Sequence, residues 1–388
     1  MNKVHNAVRH ESDSSLAGRE LGKEFRSAFD GASPDAIVLF ASARHDYAAL
    51  LGALADAAGT EVIVGASSAG EFTEAGRGEG LVSAMAIRSN DMHFVVAEGR
   101  DLSSDPSAAA AQVVRGFKGL TQSQALHRSA LVMTDALAGH TDALVEELTV
   151  GTGGNYRFFG GGAGDDGRFA KTHVFAGRKA FSDGVVALEI LSSKPLGIGV
   201  SHGWEPTGAG LRVTEAEGMM LISLNGAPAV DAFAAHAEQS GQRFDWENPL
   251  PFFLHNVLGI EAPEGHRLRV PLGVRADGAI ACAAAVPEGA IVHIMRTSTD
   301  GAVSAARKAT TAALAALTGH PPAGAFVFDC VATRLRLGRA FDDELAACAD
   351  LLGPGGFVGC NTYGQIARSE GQFGGFHNCT AVVCVLPQ

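Results

Sequence analysis

The chain has 388 residues, 46% of them hydrophobic and 19% charged, a globular balance that excludes a disordered chain. At roughly 100–200 residues per domain, this length suggests about two domains. Thirty Lys and Arg against 42 Asp and Glu leave a net charge of −12, which argues against nucleic acid or an anionic membrane as partner, since both want a basic face.

No apolar run reaches the roughly 18 residues of a spanning helix. The first fifteen residues are polar, lack a signal-peptide core and read as a mobile tail. The expectation is a cytoplasmic protein with reduced thiols. The six cysteines form no C-x-x-C pair and read as small buried hydrophobes.

Along the chain, Leu21, Phe25 and Phe29 recur at helical spacing. Ala36 to Phe40 is a continuous apolar run, the pattern of a strand buried on both faces. Asp46 can cap a helix with Tyr47, Leu50, Leu51 and Leu54 on one stripe. The strand from Glu61 to Val64 then runs into Gly65-Ala66-Ser67-Ser68-Ala69-Gly70-Glu71-Phe72. The unit recurs: a strand from Ala130 to Met133, a helix from about Thr141, then Arg157-Phe158-Phe159 leading into Gly160-Gly161-Gly162-Ala163-Gly164-Asp165-Asp166. It recurs again, with a strand from Ala325 to Phe328, a helix face of Phe341, Leu345, Cys348 and Leu352, and Gly359-Cys360-Asn361-Thr362-Tyr363-Gly364-Gln365-Ile366. The first and third loops align as V-G-A-S-S-A-G-E-F and V-G-C-N-T-Y-G-Q-I. The fold class expected is therefore α/β: two related halves of β-α-β-loop-β units, forming mixed sheets covered by helices. A polar seam near 205–250 and a meander from Leu268 to Met295 separate the copies. A helix follows from about Gly301, with Val303, Ala306, Thr310, Leu314 and Leu317 on its core face.

The glycine loops open strands rather than helices, so they are not phosphate cradles. Gly65 to Gly70 is one residue too long for G-x-S-x-G, which leaves a hydrolase using Ser67 or Ser68 as an alternative of lower rank. Glycines that only shape the backbone are the bland reading. The third reading is a ligand crevice at the carboxyl ends of the strands, lined by Ser67, Ser68, Gly70, Glu71, Thr362, Tyr363, Gly364 and Gln365, with Trp204 and Asn378 nearby. His202, His255 and His377 sit among apolar residues, as satisfied core histidines or as candidate axial haem ligands, of which one is expected.

These motifs resemble the FIST family. Ser67-Ser68-Ala69-Gly70-Glu71-Phe72 resembles the S-T-A-G-E-I signature of the FIST N domain, and Gly160 to Asp166 its G-G-L-A-G-D-D loop. Ser182-Asp183-Gly184-Val185-Val186-Ala187 resembles S-D-G-V-V-A, and the run from Ser201 to Pro206 resembles S-H-G-W-R-P. In the second half, Asn361 to Ile366 resembles the FIST C motif Y-T-Y-G-E-I, with Gln365 in place of the glutamate, and Phe376-His377-Asn378-Cys379-Thr380 resembles F-H-N-x-T. The resemblance divides the chain into a tail and lead-in helix (1–30), a FIST N-like domain (31–225) and a FIST C-like domain (226–388).

What the resemblance implies is a small-ligand sensor, not an enzyme. A chain of these two domains is similar to the nitric-oxide-sensing, NosP-type branch. That implies haem, and regulation in trans of a histidine kinase or a cyclic-di-GMP enzyme. An amino-acid or other metabolite sensor without haem is the alternative. A homodimer is compatible with this reading. Ligand between the glycine loops is expected to shift the placement of the two halves.

Overall fold

Three times the chain runs a strand, a helix and a parallel strand, and three times the strand that follows is given to a neighbouring sheet. The computed structural model describes residues 2–121, 126–263, 265–368 and 375–388. The parallel pairs are Ala36–Ser42 with Ile63–Ser68, His127–Thr134 with Arg157–Gly162, and Pro322–Cys330 with Phe357–Thr362. Each is closed by the right kind of crossover, a helix, since parallel strands cannot be joined by a tight turn. Each pair lies in a six-stranded sheet. The architecture is α/β with mixed sheets covered by helices, and the unit relates three segments around a cycle.

The cycle is built by exchange. Glu71–Thr73, which follows the first bend, pairs with Phe357–Thr362 of the third sheet. Gln365–Arg368 follows the third bend and pairs with Arg157–Gly162 of the second. Val174–Ala176 follows the second bend and pairs with Ile63–Ser68 of the first. One glycine per copy makes this fit. Gly65, Gly160 and Gly359 lie opposite Leu39, Val132 and Val327. A Cβ on each would sit 1.7, 2.0 and 2.1 Å from the carbonyl oxygen of that partner, so no side chain is tolerated. The exchanged strands set Phe175, Ile366 and Phe72 in register with these glycines.

The first residues are not a tail. Lys3–Arg9 is an antiparallel strand in register with Val82–Arg88. It is the outermost strand of its sheet, where a polar sequence is tolerated because one edge faces water. The helix Thr299–Ala315 buries Ala306 and Thr310 as expected, and Leu317 just beyond it, but its buried face is centred on Ala302, Ala305, Ala309 and Ala313, while Val303 and Leu314 are only half-buried. The cause is close approach to the strand Gly197–Ser201, where a Cβ on Gly197 or Gly199 would fall within 2 Å of the Ala313 and Ala309 carbonyls.

Between that strand and that helix the chain inserts an antiparallel sheet from Glu205 to Arg296. The expected polar seam opens this insertion and the expected meander closes it. Its own core gathers Val213, Leu221, Phe233, Phe253, Leu258 and Ile280. Trp204, Val257, Leu268, Val270, Met295, Cys330, Ala332 and Cys379 form a smaller apolar cluster that joins the insertion to the three-copy body.

Candidate functional site

The three bends meet. The Ala69 N–H donates to the Asn361 carbonyl at 2.9 Å, Tyr363 N–H to Gly162 at 3.0 Å, and Gly164 N–H to Ser67 at 2.8 Å. A second round runs the other way: Asn361 N–H to Gly70 at 2.8 Å, Gly162 N–H to Gly364 at 2.9 Å, and Ser67 N–H to His173 at 2.9 Å. The expected convergence of the glycine loops is present, and its centre is closed by main-chain hydrogen bonds.

The hydroxyl side chains of the ring and Gln365 turn inward and are hydrogen-bonded, whereas the buried Asn361 Nδ2 has no partner among the described residues. Ser67, Ser68, Thr362 and Gln365 are all at most 1% exposed. The Ser67 hydroxyl donates to the His173 carbonyl and accepts the His173 N–H. Ser68 donates to the Glu71 carboxylate, which also accepts the Leu81 N–H at 3.1 Å. Burial pushes the Glu71 carboxyl up to about 8, against these hydrogen bonds. Gln365 and Thr362 share a hydrogen bond of 2.9 Å. A serine nucleophile needs a base and access to substrate. Here neither serine hydroxyl is bonded to an imidazole, and neither reaches solvent.

Two hollows flank the ring. The polar one, about 310 Å3, is lined by Glu71, Arg77, Glu79, Arg334, Asp342 and Asn361. Its guanidiniums are committed: Arg77 pairs with Asp342, and Arg334 with Glu79 and the Ala69 carbonyl. Gly70, at φ +139°, leaves the room that Arg334 and Asn361 occupy.

The apolar one lies between the three-copy body and the insertion. The body contributes Leu137, Val331, Leu335, Tyr363, Gly364 and Asn378, and the insertion contributes Leu250, Leu254, Val270 and Leu272. Phe169 stacks on Tyr363 at 4.3 Å between ring centroids and 10° between planes. The Tyr363 hydroxyl donates to the Asp165 carboxylate, which also accepts the N–H groups of Phe169, Ala170 and Lys171 at 2.7–2.9 Å. Burial would raise the Asp165 pKa, but these four donors outweigh it and hold it low. Gly364, at φ +94°, admits the Phe376 ring into the space of its missing side chain. Asn378 is 2% exposed; its Nδ2 reaches only the neighbouring His377 carbonyl, at 3.2 Å, and its Oδ1 has no partner among the described residues. A buried carbonyl oxygen without a donor is costly unless something supplies one.

The crevice residues read from sequence therefore part company. Tyr363, Gly364 and Asn378 line the apolar groove, Glu71 lines the polar hollow beside Gly70, and Ser67, Ser68, Thr362 and Gln365 are sealed within the ring. Trp204 is 7% exposed and packs in the joining cluster beneath Arg336, 5.5 Å from its ring. Sequence reasoning missed Phe169, Leu137, Leu335 and Arg334. Phe169 had a usable signal, three residues beyond the G-G-G-A-G-D-D loop. The others come from helices and turns with no motif of their own.

Of the three candidate axial histidines, His202 has both ring nitrogens engaged and His377 one, so His202 does not fit haem in this arrangement. An axial ligand needs a free imidazole nitrogen facing an open apolar wall. The His202 Nε2 bonds the His266 carbonyl at 2.9 Å, and its Nδ1 accepts the Trp204 N–H at 3.3 Å. The His377 Nε2 bonds the Ala367 carbonyl at 3.0 Å, and desolvation takes its pKa down to about 4. Desolvation and the charges of Arg336 and Arg296 lower the pKa of His255. None of the three lines the apolar groove. No cluster of three metal-ligating side chains occurs among the described residues, and no described helix is long and apolar enough to cross a membrane.

Comparison with known proteins matches residues 35–227 to the FIST N domain and residues 229–368 to the FIST C domain. Two Mycobacterium tuberculosis proteins, uncharacterized protein MT0656 (strain CDC 1551 / Oshkosh) and uncharacterized protein Rv0628c (strain ATCC 25618 / H37Rv), are each 24% identical over 274 residues, covering 69% of this chain and 70% of theirs. Among solved structures, a cyanuric acid hydrolase from A. caulinodans is similar over 100% of both chains, with 10% identity and a TM-score of 0.35, too distant a likeness to bear on chemistry.

Proposed function

The chain carries a FIST N domain followed by a FIST C domain, the mark of a small-ligand sensor in signal transduction, and from that premise we propose that its ligand binds in the apolar groove beside the ring. The observation that carries this reading is the unpartnered Asn378 Oδ1, almost fully buried on the groove wall. The ligand is a compact, mainly apolar metabolite with one N–H or O–H group that donates to this oxygen. The groove holds about 110 Å3, against roughly 150 Å3 for a cavity that accepts benzene. A short branched chain, or a single ring that projects partly out of the groove, matches that room; a porphyrin does not.

Signalling follows from where the groove lies. One wall belongs to the three-copy body and the other to the insertion, so a ligand that touches both favours one placement of the two over others. A separate signalling protein, of the histidine-kinase or cyclic-di-GMP class that the family resemblance implies, reads this shift. The sealed Ser67 and Ser68 speak for a sensor over a hydrolase.

Thermal unfolding against a panel of compact metabolites tests the reading. A ligand at 100 times its Kd stabilises by about 2.7 kcal/mol and raises Tm accordingly. The rise is expected with wild type and is lost in Asn378→Leu. An absorption spectrum with a Soret band in the protein as isolated, or a ligand that stabilises Asn378→Leu equally, overturns it.

A further inference from the structure

The polar hollow on the other flank of the ring differs from the groove in the kind of group it leaves without a partner. Asn361 is 1% exposed and lines this hollow. Its main chain is held on both sides: its N–H donates to the Gly70 carbonyl at 2.8 Å, and its carbonyl accepts the Ala69 N–H at 2.9 Å. Those bonds fix where the side-chain amide stands. The Nδ2 of that amide has no acceptor among the described residues. A buried N–H without an acceptor carries the full cost of leaving water. Where Asn378 lacks a donor, Asn361 lacks an acceptor.

Two guanidiniums line the same hollow. The Arg334 side chain is 13% exposed and that of Arg77 24%. Each donates to one main-chain carbonyl, Arg334 to Ala69 and Arg77 to Gly338, and is held in place by it. Each also pairs with one carboxylate, Arg334 with Glu79 and Arg77 with Asp342, and these two side chains are 60% and 64% exposed. Exposed ion pairs contribute little net stability, so a competing acceptor replaces them at small cost. Glu71 does not oppose an anion here. Its oxygens accept from the Ser68 hydroxyl and the Leu81 N–H, and burial pushes its carboxyl up to about 8, which leaves it mostly neutral at pH 7.

We propose that the polar hollow binds a small carboxylic acid as its carboxylate, with one oxygen accepting from the Asn361 Nδ2 and the other from Arg334 in place of Glu79. Arg77 adds a second positive charge. The planar guanidinium suits a planar carboxylate. A neutral carbonyl would satisfy the amide but would not replace the ion pair that Arg334 gives up. A doubly charged phosphate is disfavoured by the two carboxylates at the hollow and by the chain's net charge of −12. At about 310 Å3 the hollow has room for more than the carboxylate itself. It shares no lining residue with the apolar groove, so this site goes beyond the groove ligand and does not depend on it.

The test is saturation-transfer NMR of the full chain with acetate, lactate and benzoate at constant ionic strength, each against its amide, with inorganic phosphate as competitor. The expected result is saturable binding of at least one acid, none of its amide, and no displacement by phosphate. Asn361→Asp, which replaces the donor by an acceptor, should weaken the acid by about tenfold or more. Glu79→Gln, on an exposed side chain, should tighten it by about two- to fivefold, because Arg334 no longer gives up an ion pair. Asn378→Leu should leave the acid's affinity unchanged, so this site and the groove stand or fall separately. Binding of none of the acids, equal binding of an amide, tighter binding of phosphate, or unchanged affinity in Glu79→Gln would overturn the proposal. So would wild-type affinity in Asn361→Asp; if that variant does not fold, Glu79→Gln and the amide comparison still decide.

Discussion

The ring of bends and the groove beside it use polar groups in opposite ways. In the ring, Ser67, Ser68, Thr362 and Gln365 have their hydrogen bonds from neighbours within the same structure, and the buried Asn361 Nδ2 is the exception. In the groove, Asn378 Oδ1 has none among the described residues, and the walls around it are mostly aliphatic. A buried network that is complete rigidifies; one that is incomplete waits for a partner. The residues that look most chemical in the sequence therefore build the scaffold, and the unpartnered group on the groove wall is a single amide next to leucines.

The largest effect that can break this comparison is steric. Gly65→Ala puts a Cβ against the Leu39 carbonyl and should cost about 3 kcal/mol or more in urea unfolding, whereas Leu335→Ala, on the exposed lip of the groove, should cost under about 1 kcal/mol. Equal costs would mean that the ring is not the rigid part.

A pH effect comes next. The Glu71 carboxyl rises from 4.5 to about 8 on folding, so between those values the folded chain holds a proton that the unfolded chain has released. Stability should fall as pH rises through that window, by something on the order of 2 kcal/mol. Glu71→Gln should flatten the slope, and a slope that persists unchanged assigns the effect elsewhere.

Ser68→Ala removes the hydroxyl donor to Glu71 and should cost about 1 kcal/mol in unfolding while leaving any ligand-induced Tm shift intact. Loss of the ligand shift in this variant would move the site back into the ring. The smallest effect on stability belongs to Asn378→Leu, within about 0.5 kcal/mol of wild type or slightly stabilising, because an unsatisfied oxygen is replaced by an apolar group. A large loss of stability there would show that the amide is structural and that the groove and the ring are alike.

Much of the scaffold is legible in the residues. The apolar run Ala36 to Phe40, the helix stripe from Tyr47 to Leu54 and the glycine that follows each second strand all mark elements that are present. The first strand, Lys3–Arg9, is not legible, because an edge strand of alternating polar residues has the same composition as a tail. The face of the helix Thr299–Ala315 is misjudged from Val303 and Leu314, because glycines more than a hundred residues upstream choose the alanine face. The groove is half legible: Tyr363, Gly364 and Asn378 stand in motifs, while its other wall comes from the insertion.

By itself the sequence determined the repeated unit and its glycines, since a strand's spacing and a missing Cβ act on immediate neighbours. Only the tertiary structure decided that Glu71–Thr73, Gln365–Arg368 and Val174–Ala176 each cross to another sheet, and hence that the bends lock together and leave the apolar groove to one side. A strand of three or four residues carries too little pattern to name its partner, and main-chain hydrogen bonds between residues like Ala69 and Asn361 are blind to side-chain identity.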